Sequence, residues 1–178
     1  MEKRGEDMEK SDLFDVFTYE THYVNGLSVL KEDGNMVYMS ETEGEYVKQV
    51  IPPDPETVAI QTSYFADTLT VSGEGRFLKG WDIKIGVWKK YNRNGEVIDE
   101  VAHDEHYPIG WQEMRGCFLA NGIRITDIRL LRRVQEQTTG RYGWFLTLRS
   151  EPGTLDTAFF DAETGDLIVR KQTAIEVI

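Results

Sequence analysis

Short alternations of apolar and polar residues dominate the first hundred positions of the chain. From Leu13 to Val50 they form strand-like runs separated by turn dipeptides such as Asn25-Gly26. Further runs of this kind follow at 58–64, 68–72 and 75–101. The intervening IPPDPET, residues 51–57, is predicted to be an exposed connection because proline removes backbone donors. The pattern predicts an antiparallel β-meander.

Two local assignments inside this meander bear on function. Residues 15–24 are predicted to be its first strand, and His22 is predicted to be a packed residue of that strand. Gly73-Glu74-Gly75 is predicted to be a turn, because neither the lysine-containing pattern nor the strand-loop-helix context of a phosphate-binding loop follows it.

The period of the apolar residues changes after Pro108. Trp111, Met114, Cys117 and Phe118 recur at the spacing of one helical face, and Asn121-Gly122 is a typical helix end. Four strands are then predicted at 125–137, 142–149, 155–161 and 166–175. The predicted class is α+β and mostly antiparallel β, with a meander sheet, one helix and a small C-terminal antiparallel sheet.

The same patterns predict the domain organisation. Residues 1–12 are charged and aperiodic, which predicts a flexible N-terminus. An acidic β-meander over 13–107 and a helix with a four-stranded sheet over 108–178 are expected to pack as one unit. Because no segment has the length and apolar character of a signal peptide or membrane span, the expected location is cytoplasmic, with no membrane partner.

Charge is distributed unevenly along the sequence. The chain carries 31 acidic and 20 basic residues, a net charge of -11, and residues 1–107 contain 22 of the acids but only 11 of the bases. Nucleic acid is therefore not expected as a direct ligand, since that binding depends on basic residues that neutralise phosphates. A basic protein partner, or simple solubility, fits the acidity better.

Candidate catalytic and metal-binding groups are few. His103 and His106 flank Asp104 and Glu105, a run that could hold a divalent metal, but a solvated acidic connection is the preferred interpretation. Cys117, the single cysteine, is predicted to be a buried thiol rather than a nucleophile. We therefore expect no catalytic residues, no cofactor, no metal site and no enzymatic activity.

Acidic side chains are the candidate partner-binding residues. If the stretch around Glu41, Glu43 and Glu45 is extended, these three project from one face and can form a patch with acids beyond the prolines. A solvated face kept for solubility is the alternative. The full candidate set is Glu41, Glu43, Glu45, Asp54, Glu56, Asp99, Glu100, Asp104 and Glu105.

Residues 77–98, FLKG…GVWKKYNRNGEVI, place Gly86, Trp88, Tyr91 and Gly95 at the positions of a recurring bacterial motif. In these residues the segment resembles the MORN-variant repeat. Physically the motif requires no ligand, because glycine permits the turn and the two aromatic residues pack on neighbouring strands. The resemblance implies an immunity or antitoxin protein that neutralises one cognate toxin, and a basic toxin such as a nuclease would fit the charge of this chain.

A second likeness lies between Tyr142 and Val169. There WFLTLRS…TAFFDAETGDLI is similar to the PepSY-type module with its Asp-x-x-Thr-Gly turn. This resemblance implies the alternative function, a scaffold or a small-ligand or peptide-binding module of a cell-envelope or secretion assembly. Neither motif carries catalytic residues, and the oligomeric state is left open.

Overall fold

The computed structural model describes residues 13–174, so the predicted flexible segment 1–12 lies outside the described residues. The chain divides between His103 and Asp104 into two compact units. Asp104 and Glu105 therefore belong to the second unit, and the expectation that the two parts pack as one stays a prediction.

The first unit contains an eight-stranded antiparallel sheet in which every strand pairs with its neighbours in the sequence. Turn residues with positive φ, such as Gly26 at +89° and Gly95 at +79°, separate successive strands. The strands are β1 (Tyr23–Val24), β2 (Leu27–Glu32), β3 (Asn35–Thr42), β4 (Glu45–Ile51), β5 (Val58–Phe65), β6 (Val71–Leu78), β7 (Ile83–Tyr91) and β8 (Val97–Ala102). The predicted meander is confirmed, including the connection over the three prolines.

A short helix precedes this sheet, and here the predicted first strand over 15–24 is largely wrong. Helix α1 covers Val16–Thr21, and the Asp15 carboxylate caps it by accepting the Thr18 N–H at 3.0 Å. This cap outweighs the β propensity of the aromatic and β-branched residues that follow. His22 ends the helix as an exposed residue, with Nδ1 2.9 Å from the Thr18 carbonyl oxygen, so it is not a packed strand residue.

Aromatic residues build the core beneath α1. Phe14 stacks on Tyr46 with ring centroids 4.4 Å apart, and its ring lies 5.3 Å from that of Tyr64. Val37 and Met39 of β3 are buried in the same cluster. The cluster covers one face of β3, β4 and β5, because the register pairs Val37 with Val50 and Tyr46 with Tyr64.

Gly73-Glu74-Gly75 lies inside strand β6, so the predicted turn is wrong. The reason is the ring of Trp88, which lies on β7 directly over Gly75. A Cβ at Gly75 would stand 2.1 Å from Trp88 Cδ2, so only glycine fits, and Trp88 Nε1 donates to the Arg76 carbonyl oxygen at 2.9 Å. Glycine here permits a close approach of the ring and not a reversal of the chain.

The second unit packs one helix on a four-stranded antiparallel sheet. Helix α2 (Trp111–Ala120) is followed by a 3-10 turn (Ile125–Asp127) and by β9 (Ile128–Gln135), β10 (Tyr142–Leu148), β11 (Thr154–Asp161) and β12 (Leu167–Ala174) in the order β12-β11-β10-β9. Trp111 lies 5.5 Å from Trp144, and Phe118 lies 4.8 Å from Phe160, measured between ring centroids. The predicted helix, its Asn121-Gly122 end and the fold class are confirmed.

Within residues 13–174, no helix is long and apolar enough to cross a membrane.

Candidate partner-binding site

The β3–β4 turn separates the three acids that were expected to share one face. Glu43 and Gly44 form this turn, and Gly44 has φ of +84°. Glu41 is paired with Tyr46, whereas Glu45 is paired with Thr42, so Glu41 and Glu45 point to opposite faces of the sheet. The stretch is not one extended strand, and the expected single-face array is wrong.

Asp54 and Glu56 lie at the other end of the sheet from Glu43. They belong to the connection after β4, and the seven residues of β4 separate the two ends by about 20 Å. Asp54 pairs with Lys79, whose Nζ is 2.8 Å from its Oδ1. The predicted patch that joins these two groups of acids therefore does not form.

Asp99 and Glu100 lie on β8, the last strand of the sheet. Being adjacent in a strand, they point to opposite faces. Lys90 Nζ lies 3.4 Å from Asp99, and Lys89 Nζ lies 3.8 Å from Glu100. These ion pairs are exposed, and exposed pairs of this kind contribute little to stability. The four side chains are therefore available to a partner at small cost.

Apolar side chains accompany these acids, and sequence reasoning missed their significance. All six residues of β8 are exposed, with 47% of Val97, 63% of Ile98 and 43% of Val101 accessible to solvent. Exposed apolar surface bordered by charge is typical of protein interaction sites. The signal in the sequence was the run Val97–Ala102, which lacks the alternation expected of a strand with one buried face.

Exposed aromatic side chains lie at the opposite edge of the sheet. Phe17 of α1 is 79% exposed and Tyr23 of β1 is 50% exposed. They are separated from β8 by the width of the sheet, at about 4.8 Å for each strand. Strand β8 therefore combines apolar and acidic groups without an aromatic anchor of its own.

The two remaining acids lie in the second unit. Asp104 forms an ion pair with Arg133, whose guanidinium lies over the rings of Tyr107 and Trp144 at 4.3 and 4.6 Å. Glu105 is exposed at the rim of a surface cavity. Asp104 and Glu105 therefore belong to a different unit from the acids of β3, β4 and β8.

The two histidines of the same run are held by different neighbours. The His103 ring meets that of Trp88 edge-on at 6.0 Å in the first unit, whereas the His106 ring stacks on that of Tyr142 at 4.1 Å in the second. In the part of the chain that the structure describes, no group of three or more His, Cys, Asp and Glu side chains is arranged to hold a metal ion.

The cavity in the second unit measures about 640 Å³, and His106 and Tyr142 contribute to its wall. Asp161 has three partners: its Oδ2 is 3.3 Å from Arg141 Nε, and its Oδ1 accepts the N–H groups of Glu163 and Thr164 at 2.8 and 2.9 Å. The Asp-x-x-Thr-Gly sequence thus forms a side-chain-capped turn at the cavity rim.

The residues of the MORN-variant-like segment are occupied by contacts within the sheet. Trp88 covers Gly75, and the Tyr91 hydroxyl donates to the Glu74 carboxylate. Burial, together with the bond to Glu74 and its negative charge, raises the pKa of Tyr91 to about 12. Gly86 has φ of +67° beside the Arg76 side chain. These contacts give the motif a structural role within the sheet.

Comparison with known proteins finds no matching family model, curated protein or solved structure. The resemblances to MORN-variant repeats and to PepSY modules therefore stay predictions.

Proposed function

We propose that this chain is a non-catalytic binding protein of the immunity type, which neutralises a cognate basic protein toxin by covering part of its surface. The observation that supports this most is strand β8, where exposed Ile98 and Val101 lie beside Asp99 and Glu100. Apolar contact supplies affinity at an interface, while charge guides the encounter.

The charge of the first unit supports a basic partner. Residues 13–103 contain fifteen acidic and eight basic residues, a net charge of -7. A surface with this excess accelerates association with a basic protein and slows it with an acidic one. The acids do not form one patch, so we place recognition on β8 and assign the others to long-range attraction.

Co-expression tests the function directly. The gene next to that of this chain is expressed alone and together with it, and cell growth is measured. If the chain is an immunity protein, the product of the neighbouring gene stops growth when expressed alone and does not stop it when expressed together with this chain. A neighbour that is harmless alone, or that stays toxic when this chain is present, overturns the proposal.

A matched pair of variants then tests the place of recognition. Asp99→Asn with Glu100→Gln removes two charges from β8, and Asp54→Asn with Glu56→Gln removes two from the connection between β4 and β5. Both variants remove two charges and leave a lysine without its acidic partner, Lys79 in the control and Lys89 and Lys90 in the β8 variant. If β8 lies in the interface, its variant should associate about tenfold more slowly than the control at low salt. Equal association rates for the two variants would show that the acids of β8 do not contribute to recognition.

The cavity of the second unit supports a second candidate function, a small-ligand or peptide-binding module. Its volume of about 640 Å³ is in the range of small-molecule sites, and its wall includes the His106–Tyr142 stack. Native mass spectrometry of the purified chain, compared with the denatured chain, would reveal a retained ligand. A ligand lost by His106→Ala and kept by Glu113→Ala, an exposed change on α2, would favour this function.

A further inference from the structure

The backbone of β8 offers hydrogen-bonding groups as well as side chains. Strand β8 is the last strand of the eight-stranded sheet, and within residues 13–174 no strand pairs with its outer side. We propose that this edge accepts an extended basic segment of the partner as a ninth strand. The proposal rests on the proposed function and specifies how the partner is bound.

The ladder between β7 and β8 identifies which backbone groups face outward. The His103 N–H donates to the Gly86 carbonyl at 2.9 Å, and the register then pairs Val101 with Trp88. In an antiparallel pair, residues alternate between facing the neighbour and facing away. Val101 and Asp99 therefore bond to β7, while Glu100 and Ala102 direct their N–H and C=O groups to the free side.

This free edge differs from the other terminal strands. Strand β1 has only Tyr23 and Val24, too short to template a partner strand. Strands β9 and β12, the two edges of the other sheet, carry basic side chains such as Arg129, Arg132, Arg170 and Lys171, which disfavour a basic segment. Strand β8 is the terminal strand that joins acidic charge to an open backbone.

A second copy of this chain is a poorer occupant than a basic segment. Two β8 strands related by a twofold axis place residues of the same face opposite each other. A register centred on Asp99 sets Asp99 against Asp99, and one centred on Glu100 sets Glu100 against Glu100. Like charges directly opposite each other destabilise a sheet, so the two registers that pair most of β8 are disfavoured.

The order of side chains on β8 specifies the partner sequence. An antiparallel strand opposite Ile98–Val101 meets an apolar residue, two acids and another apolar residue. Its best complement has two consecutive basic residues with an apolar residue on each side, since opposite charges and apolar pairs both stabilise facing positions. One basic side chain lies on each face of the extended sheet, beside Asp99 or Glu100.

Short peptides test this edge without knowledge of the toxin. The probe is a capped peptide with the sequence threonine–valine–arginine–lysine–valine–threonine. In the antiparallel register its arginine amide faces Glu100, while its lysine amide points away from β8. N-methylation of the arginine amide blocks a bond to β8, and N-methylation of the lysine amide is the matched control with the same charge and composition.

We expect the unmodified peptide and the lysine-methylated control to slow hydrogen exchange of the Glu100 and Ala102 amides, measured by NMR on the full chain. The arginine-methylated peptide should bind about tenfold more weakly. Equal binding of all three peptides, or unchanged exchange at both amides, overturns strand addition. The first result would indicate attraction by charge alone, and the second would place the peptide elsewhere.

Ala102→Pro tests the same edge in the co-expression experiment. It removes an outward N–H and keeps every charge, and edge strands accept proline where the N–H faces solvent. Ala102→Val keeps that N–H and serves as control. We expect Ala102→Pro to protect less well than Ala102→Val. Full protection by Ala102→Pro overturns strand addition and leaves the immunity function standing. Failure of the unaltered chain to protect overturns the immunity function, and the peptides alone then decide strand addition.

Discussion

The contact between Gly75 and Trp88 makes Gly75→Ala a demanding test of the packing in the first unit. The added Cβ would stand 2.1, 2.3 and 2.5 Å from three atoms of the Trp88 ring, all well inside contact distance. Since the backbone of β6 is held by both neighbouring strands, the ring must move. Its movement lengthens the bond from Trp88 Nε1 to the Arg76 carbonyl oxygen.

The size of the effect follows from these contacts. Overpacking at one methyl group costs about 2 kcal/mol, and loss of the indole hydrogen bond costs about 1 kcal/mol. We therefore expect Gly75→Ala to lower the free energy of unfolding by about 3 kcal/mol, a large part of the stability of a typical domain.

Urea unfolding followed by tryptophan fluorescence and circular dichroism measures this change. Gly73→Ala is the control on the same strand, because its added Cβ would meet only the Lys89 carbonyl oxygen, at 3.2 Å. We expect it to change the free energy of unfolding by less than about 1 kcal/mol. The tight contact with the carbonyl oxygen is offset because ordering alanine costs less entropy than ordering glycine.

A double-mutant cycle assigns the cost to the ring. In a Trp88→Val background the ring is absent, so Gly75→Ala should be close to neutral. A cost of about 3 kcal/mol in both backgrounds would refute the argument, because the added methyl group would then be clashing with something other than Trp88.

Two further predictions concern ionisable groups. With its pKa raised to about 12, Tyr91 contributes stability below its unfolded pKa, near 10, and this is lost as the pH rises from about 10 to 12. Glu74→Gln should lower that pKa. The pKa is measured by following phenolate absorbance against pH and subtracting the same titration of a chain that carries Tyr91→Phe. Asp15→Ala removes the cap of α1 and should cost about 1 kcal/mol in urea unfolding. Bonds from Thr18 lower the Asp15 pKa, so the cap weakens as the pH falls through that value, and Asp15→Ala should abolish this dependence.

The meander and helix α2 could be predicted from the sequence because their signals are local. Asn25-Gly26 marks a hairpin turn, and Trp111, Met114 and Phe118 mark one face of a helix. Helix α1 was missed because six residues carry too little periodicity to outweigh β propensity. The signal present was Asp15 followed three residues later by Thr18, because the Asp15 carboxylate caps the helix by accepting the Thr18 N–H.

The candidate site could be predicted only in part, because a shared acidic surface depends on register. The positive φ of Gly44 places the turn beside Glu43, and that single position sends Glu41 and Glu45 to opposite faces. Gly75 shows a similar limit. Its partner Trp88 is thirteen residues away, so the reason for a glycine inside a strand appears only when β6 and β7 are paired.

The order of strands in the first unit also has a consequence for how the chain folds. Each of its eight strands pairs only with its neighbours in the sequence, and the longest connection between them, residues 52–57, has six residues. Closing such short loops costs little chain entropy. The sheet can therefore grow hairpin by hairpin, and we expect it to fold faster than sheets of equal size whose strands come from distant parts of the chain.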